Sequence, residues 1–242
     1  MVQIIRALWG DYENYVDDIS TPKYNEIVYV WGEENDRYLK SFGHNTKLVS
    51  KNKCEYCDIN NQFIQKLQSF KFAEDEYGEF LFLDWDVKEL KPIDDNFHNI
   101  LTSQDFSASL YGYPEEFLTL KNKVNDWTDK QIELMTKHCW FTNGVYILPN
   151  AGFVYSKKKG FSDDLIRIVK EYKIETLIEE FAIQIYSNMS LNDYILNHES
   201  KLINGRPEWF SVNVNGIDID SPRRINNHVI SLIEKDLYLI HT

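Results

Sequence analysis

Apolar residues arrive along this chain in short dense runs separated by amphipathic stretches. Gln3–Gly10 (QIIRALWG) is an apolar run closed by glycine. Glu26–Glu34 (EIVYVWGEE) is a β-branched and aromatic run stopped at Gly32. Both predict strands. NDRYLKSFGH, residues 35–44, predicts a short helix ending at Gly43, and TKLVS, residues 46–50, a third strand. In Ile59–Phe72 the residues Phe63, Ile64, Leu67 and Phe70 share one helical face. EFLFL, residues 79–83, is apolar without alternation, as in a strand buried on both faces of a parallel sheet. Strands alternating with helices in this order predict an α/β fold with a mostly parallel central sheet flanked by helices.

The second half reads differently. FSASLYGY (106–113) predicts a strand, and WTDKQIELMTK (127–137) a helix opened by a capping box of Thr128 and Gln131. The stretch 142–172 predicts two strands around a Pro149-Asn150 turn, a small antiparallel part. A helix capped by Ser162 follows, with Leu165, Ile166, Val169 and Tyr172 inward. TLIEEFAIQIYSN (176–188) places Leu177, Ile178, Phe181 and Ile185 on one helical face, and WFSVNV and LYLIHT predict late strands. No linker, repeat or low-complexity tract divides the 242 residues, so a single domain over 1–242 is expected.

Composition narrows the function classes. With 43% hydrophobic residues the chain can build a substantial core. The net charge of −12 argues against binding that lives on phosphate contacts, although YSKKKG (155–160) and Pro222–Arg224 are local basic patches. Cys54, Cys57 and Cys139 make no disulfide framework, and the single C-x-x-C lacks a second pair at zinc spacing. The first residues do not read as a signal peptide, and no run approaches the ~20 apolar residues of a membrane span. A soluble, cytoplasmic protein is expected.

The chemistry concentrates where EFLFL runs into Asp84-Trp85-Asp86. Residues i and i+2 of a strand share a face, so both acids can curl toward one cation. Hard divalent ions such as Mn²⁺ or Mg²⁺ share a few carboxylates with substrate phosphates. Ligands of open α/β sheets sit outside the carboxyl ends of the strands, where these acids stand. D-x-D spacing alone is cheap, since Asp218–Asp220 repeats it; the apolar strand before Asp84 gives it its context.

FLFLDWDV resembles the D-x-D strand end of metal-dependent, nucleotide-sugar glycosyltransferases of the GT-A fold. PNAGFVYS is similar to their Asn-Ala/Ser-Gly segment, EEFAIQIY to their late acidic helix, and YLIHT to a C-terminal strand ending in a metal-binding histidine. VWGEENDRYLKSFG suggests small phage-type or viral members. The resemblance covers most of the chain, with D-x-D and PNAGFVYS its more specific parts. It implies a nucleotide-binding half over 1–90 and a sugar and acceptor half over 91–242. Sugar would pass from a nucleoside diphosphate sugar, with UDP the expected nucleotide, to an acceptor hydroxyl. Asp86 and His241 would hold the metal, and Asp84 would contact the metal or the ribose. Leu8, Trp9, Tyr12, Trp85, Asn150, Ala151 and Gly152 would meet the donor, with Tyr12 a candidate to stack on the base.

Glu179 and Glu180 compete as the catalytic base. A saccharide is the expected acceptor; a hydroxymethylated DNA base becomes the acceptor if the protein is viral, and Lys157, Lys158 and Arg223 would then touch phosphate. A metal-dependent nucleotidyltransferase and a non-enzymatic nucleotide-binding module are the alternatives. The first needs a Gly-rich loop and a basic residue after the first strand, where ALWGDYENY offers a single glycine.

Overall fold

The protein is described by a computed structural model covering residues 2–50, 63–89, 92–102, 105–114, 133, 140–142, 145–174, 178–186, 202–203, 206–207 and 239–241. Its inner strands are the apolar runs. β1 (Gln3–Leu8), β2 (Glu26–Val30) and β4 (Phe80–Leu83) are parallel, and β2 and β4 are buried at every position. β3 (Asn45–Leu48), more polar and partly exposed, closes one edge beside β2. On the other side β4 pairs antiparallel with the long β8 (Val145–Ser156), which also carries β6 (Phe106–Pro114) and β7 (Trp140–Thr142). The seven-stranded sheet runs β3-β2-β1-β4-β8-β6, with β7 attached to β8.

This is the expected α/β architecture, parallel in its first half and antiparallel in its second. The chain grows outward from β1 in one direction through β2 and β3, then returns to add β4 on the other flank. The gap beyond the carboxyl ends of β1 and β4 is therefore the topological switch point.

Strand alternation sorts the core onto two faces. Ile5, Ala7, Phe80 and Phe82 face α2 (Ile64–Tyr77), α4 (Phe161–Tyr172) and α5 (residues 178–186). Phe70 of α2 lies 5.0 Å from Phe82 and 5.5 Å from Phe80, ring centre to ring centre. On the other face Ile4, Leu81 and Leu83 pack with Phe97 and Leu101 of α3 (Asp95–Thr102). Leu8, Val28 and Val30 pack there with Leu39 of α1 (Glu33–Ser41). A short strand β5 (Val87–Glu89) follows β4 and pairs with β11 (Leu239–His241). A small hairpin joins β9 (Leu202–Ile203) to β10 (Arg206–Pro207). Among the described residues no helix is long and apolar enough to cross a membrane.

Two sequence expectations change. Pro149-Asn150 is not a turn: β8 runs straight through it, and the irregularity lies in its pairing with β6, where Ala108 meets Val154 but Ser109 meets Asn150. Ser162 does not cap α4. The helix starts at Phe161 after Gly160 in the left-handed region, and the Glu74 carboxylate of α2 accepts the Gly160 and Ser162 N–H groups, the latter at 2.9 Å. A carboxylate reaching over from a neighbouring helix thus replaces the local hydroxyl. β5 and α3 were not predicted. Of the helix expected over 127–137 only Glu133 is described, and it is helical. The strand at 209–214, the three cysteines, Asp218–Asp220 and Pro222–Arg224 lie outside the described residues.

Because Glu74 satisfies the start of α4 and ties it to α2, Glu74→Ala is expected to lower the unfolding free energy by about 1–3 kcal/mol, measured by urea denaturation. Glu74→Gln should recover part of the loss.

Candidate active site at the carboxyl ends of β1 and β4

β4 ends at Leu83 and β5 begins at Val87, so Asp84-Trp85-Asp86 is the turn between them. Its backbone is held on several sides. The Asp84 N–H donates to the Gly152 carbonyl at 2.8 Å, and its carbonyl accepts from Arg6 Nη1 at 2.6 Å and from the Val87 N–H at 3.2 Å. Trp85 continues the Leu81 and Leu83 face. It is only 7% exposed, its indole N–H donates to the Ala7 carbonyl at 2.9 Å, and the Arg6 guanidinium lies 5.1 Å from its ring centre. The turn is thereby anchored to β1 and β8, and both acids line one cavity of about 210 Å³ together with Trp9, Asn14, Tyr15, Phe63 and Lys66.

Lys66, on α2, is the residue the sequence reading missed. Its ammonium is buried, 2.8 Å from Asp84 Oδ2, 3.8 Å from Glu179 Oε1 of α5 and 3.5 Å from the Ala151 carbonyl. Burial works against its charge, but Asp84 and Glu179 outweigh it and hold the ammonium protonated above its ordinary range. Burial pushes the Glu179 carboxyl up to about 7; Lys66 opposes that rise and the charge of Glu180 adds to it. Tyr15, from the one-turn 3₁₀ helix Tyr12–Tyr15, is raised by burial and by Asp84. In an amphipathic helix a lysine reads as a solvated position, and only the meeting of α2, α5 and the β4 turn marks this one out.

The Asn-Ala-Gly segment reaches the same place. Ala151, Gly152 and Phe153 drop out of register with β6 while Phe153 stays paired with Leu83 of β4. This irregularity in β8 sets Ala151 and Gly152 against Lys66 and Asp84. Asn150 lies opposite Ser109 in β6.

The end of β1 forms a neighbouring cavity of about 420 Å³, lined by Gly10–Glu13, Trp31, Gly32, Glu34 and Asn35. Asn35 is its clasp: its amide donates to the carbonyls of Gly10 at 2.7 Å and Trp31 at 2.9 Å and accepts the Tyr12 N–H at 3.2 Å. Gly10 and Gly32 take positive φ angles of 74° and 104°, which the two facing loops require. Tyr12 lines the cavity and stacks on Tyr38 at 4.1 Å. Trp9 lines the D-x-D cavity, whereas Leu8 is a core residue whose carbonyl accepts the Trp31 N–H.

The remaining candidates separate. The β5–β11 pairing sets His241 opposite Val87, one residue from Asp86. Glu180 is half-buried beside Glu179 on α5. Lys157 and Lys158 sit away from the cavity: Lys157 donates to the Thr102 carbonyl at 2.7 Å, and Lys158 stands over the Tyr186 ring. Arg223 lies outside the described residues. Among the described residues no three His, Cys, Asp or Glu side chains form a metal-binding group. Asp84 and Asp86 supply a two-carboxylate set at the strand end, with His241 the third candidate by strand register. Oxygen donors with one imidazole suit Mn²⁺ or Mg²⁺ chemically.

No protein-family model matches the chain, and no curated protein matches it. Solved structures of glycosyltransferases are similar to it. An active-site mutant of LgtC is 13% identical with a TM-score of 0.49, over 99% of this chain and 86% of that one. The galactosyltransferase LgtC with donor and acceptor sugar analogues is 15% identical with a TM-score of 0.46, over 78% and 70%. Mouse xyloside xylosyltransferase 1 in its apo form is 9% identical with a TM-score of 0.46, over 100% and 97%.

Glu179 fixes a sign for stability against pH. Folded, its carboxyl keeps its proton up to about 7; unfolded, it releases it near 4.5. Between those values the native state binds more protons, so this group's contribution is full at the acid end and lost as pH rises. Glu179→Gln should remove that slope, so that the variant gains on the wild type from pH 4.5 upward and levels off above about 7. Urea denaturation across this range measures it.

Proposed function

We propose that the protein is a metal-dependent glycosyltransferase of the GT-A type that moves a sugar from a nucleoside diphosphate sugar, with UDP the expected nucleotide, to a saccharide hydroxyl. One observation carries this reading: at the switch point, Asp84 and Asp86 line a single cavity with Lys66, while the Ala151–Gly152 irregularity in β8 closes against them.

Asp84 and Asp86, with His241, would hold Mn²⁺ or Mg²⁺. Bound there, the ion would act as a Lewis acid that neutralises charge on the leaving diphosphate. The loop from Trp9 to Tyr12 would orient the nucleoside, with Tyr12, already stacked on Tyr38, presented to the base. Trp85 keeps the turn rigid, and Asn150, Ala151 and Gly152 would border the donor sugar. Lys66 holds Asp84 in place and balances the acids around it. Glu179, buried against Lys66, would tune that lysine, and Glu180 would take the acceptor's proton if the configuration inverts.

The acidic lining of the neighbouring cavity, with Asp11, Glu13 and Glu34 and, among the described residues, no Lys or Arg, speaks against a nucleotidyltransferase, which must neutralise a triphosphate. Lys157, bonded to Thr102 and 3.5 Å from Asp105, gives a DNA acceptor no support.

Thermal stabilisation by a panel of UDP-, GDP- and CMP-sugars, with and without Mn²⁺, should single out one donor. Asp86→Ala should then lower transfer of its sugar by about 10²-fold or more, and a chelator should abolish it. Full turnover and unchanged manganese affinity in Asp86→Ala would overturn the reading.

A further inference from the structure

Phe63 stands out on the wall of the D-x-D cavity because it brings no polar chemistry to it. Among the described residues that line this cavity, every side chain carries a polar atom except Phe63 and the single methyl of Ala7. The acids suit a cation, the lysine pairs with one of them, and the amide of Asn14 and the hydroxyl of Tyr15 suit a polar ligand. A phenyl ring in that company acts through shape and apolar contact alone. The local fold explains how it comes there. Phe63 is the residue before α2, and its carbonyl accepts the Lys66 N–H at 3.1 Å. Three residues apart at the start of a helix, the ring and the ammonium enter the cavity from the same turn.

The ring is a fixed wall. Trp9, just past the end of β1, meets it edge-on, with ring centres 6.2 Å apart and planes at 82°. Both rings pack against the apolar cluster that includes Ile64 and Leu67. Other sides of the cavity are held as well: Lys66 is committed to Asp84 and Glu179, and the Trp85 indole is tied to the Ala7 carbonyl. Room is therefore limited. Pockets for drug-sized ligands run about 300–1,000 Å³, whereas this one holds about 210 Å³ and would share that space with a divalent ion. Such a space suits a single sugar ring, with the nucleoside in the neighbouring cavity of about 420 Å³.

We infer that Phe63 sets the size of the donor sugar, limiting it to a pentose or hexose without an N-acyl substituent. This rests on the reading above, in which the D-x-D cavity takes the sugar of a nucleoside diphosphate sugar. An N-acetyl group in place of a hydroxyl adds bulk where a held ring leaves little space. A phenyl face also offers the amide no hydrogen bond, so the amide would give up its water without compensation. A misfit of one methylene in an apolar pocket is worth roughly 10–200-fold, and an N-acetyl group is larger than that.

Calorimetric titration of the full chain in the presence of Mn²⁺ tests this. The probes are UDP alone and two matched pairs: UDP-glucose with UDP-N-acetylglucosamine, and UDP-galactose with UDP-N-acetylgalactosamine. In the wild type the N-acetylated member of each pair should bind about tenfold or more weakly than its parent. Phe63→Ala should bring the two members close to parity. Phe63→Leu, which keeps an apolar side chain at the start of α2, should close part of the gap. Ratios are taken within each variant, so a general loss of affinity or stability cancels. If Phe63→Ala does not fold, which urea denaturation reads, the Phe63→Leu ratio decides. Equal binding within the pairs by the wild type, or a ratio that neither variant changes, would overturn the size limit while UDP binding leaves the donor reading intact. No binding of UDP or of any of these donors would overturn the donor reading, and the size limit with it.

Discussion

A lysine ammonium removed from water between two carboxylates is the constraint on which the rest of this site depends. Lys66 gathers Asp84 from the end of β4 and Glu179 from α5, with Glu180 close enough to be felt. Charges buried this way are costly, and their attraction compensates only when geometry is held tightly. Without the lysine the acids would repel one another. The apolar packing of Phe70 on Phe80 and Phe82 supplies the rigidity, because it fixes α2 against β4 and so fixes where the ammonium can reach.

The D-x-D turn inherits strand alternation in a way that matters for its chemistry. Phe80 and Phe82 look toward α2, and Asp84 follows them to Lys66. Leu81 and Leu83 look the other way, and Trp85 follows them to Arg6 and His44. One turn is thus gripped from both faces of the sheet. Its backbone is tied in addition to β8 through Gly152, and the Trp85 indole N–H is tied to β1 through the Ala7 carbonyl. A tryptophan between two acids is, in this setting, the anchor that lets the flanking carboxylates share a cavity.

Much of the frame was legible because its causes are local. A strand buried on both faces must be largely apolar, and β4 is so throughout while β2 departs from it at Glu26, which Arg6 pairs. An amphipathic helix shows its buried stripe, and Leu165, Ile166 and Val169 are buried in α4. The D-x-D acids were legible as a strand end. Less visible were single polar residues whose partners are remote. Lys66 is 18 residues from Asp84, Asn35 is 25 from Gly10, and Arg6 is 78 from the Asp84 carbonyl. Ser162 misled because a nearby hydroxyl is the commonest cap, and the distant Glu74 took its place. Pro149-Asn150 misled because a turn signal was present where the strand only shifts its pairing with β6.

The sequence by itself determined the α/β class, the inner strands and the position of the paired acids at the tip of β4, because periodicity and burial act over a few residues. Only the tertiary structure decided that β1 and β4 are neighbours at the switch point. It alone brought a helical lysine inside between acids, set Gly152 of β8 against Asp84 and set His241 beside β5. The reason is physical: hydrophobic pattern tells each segment which side to hide, whereas the order of strands in the sheet decides which charges meet.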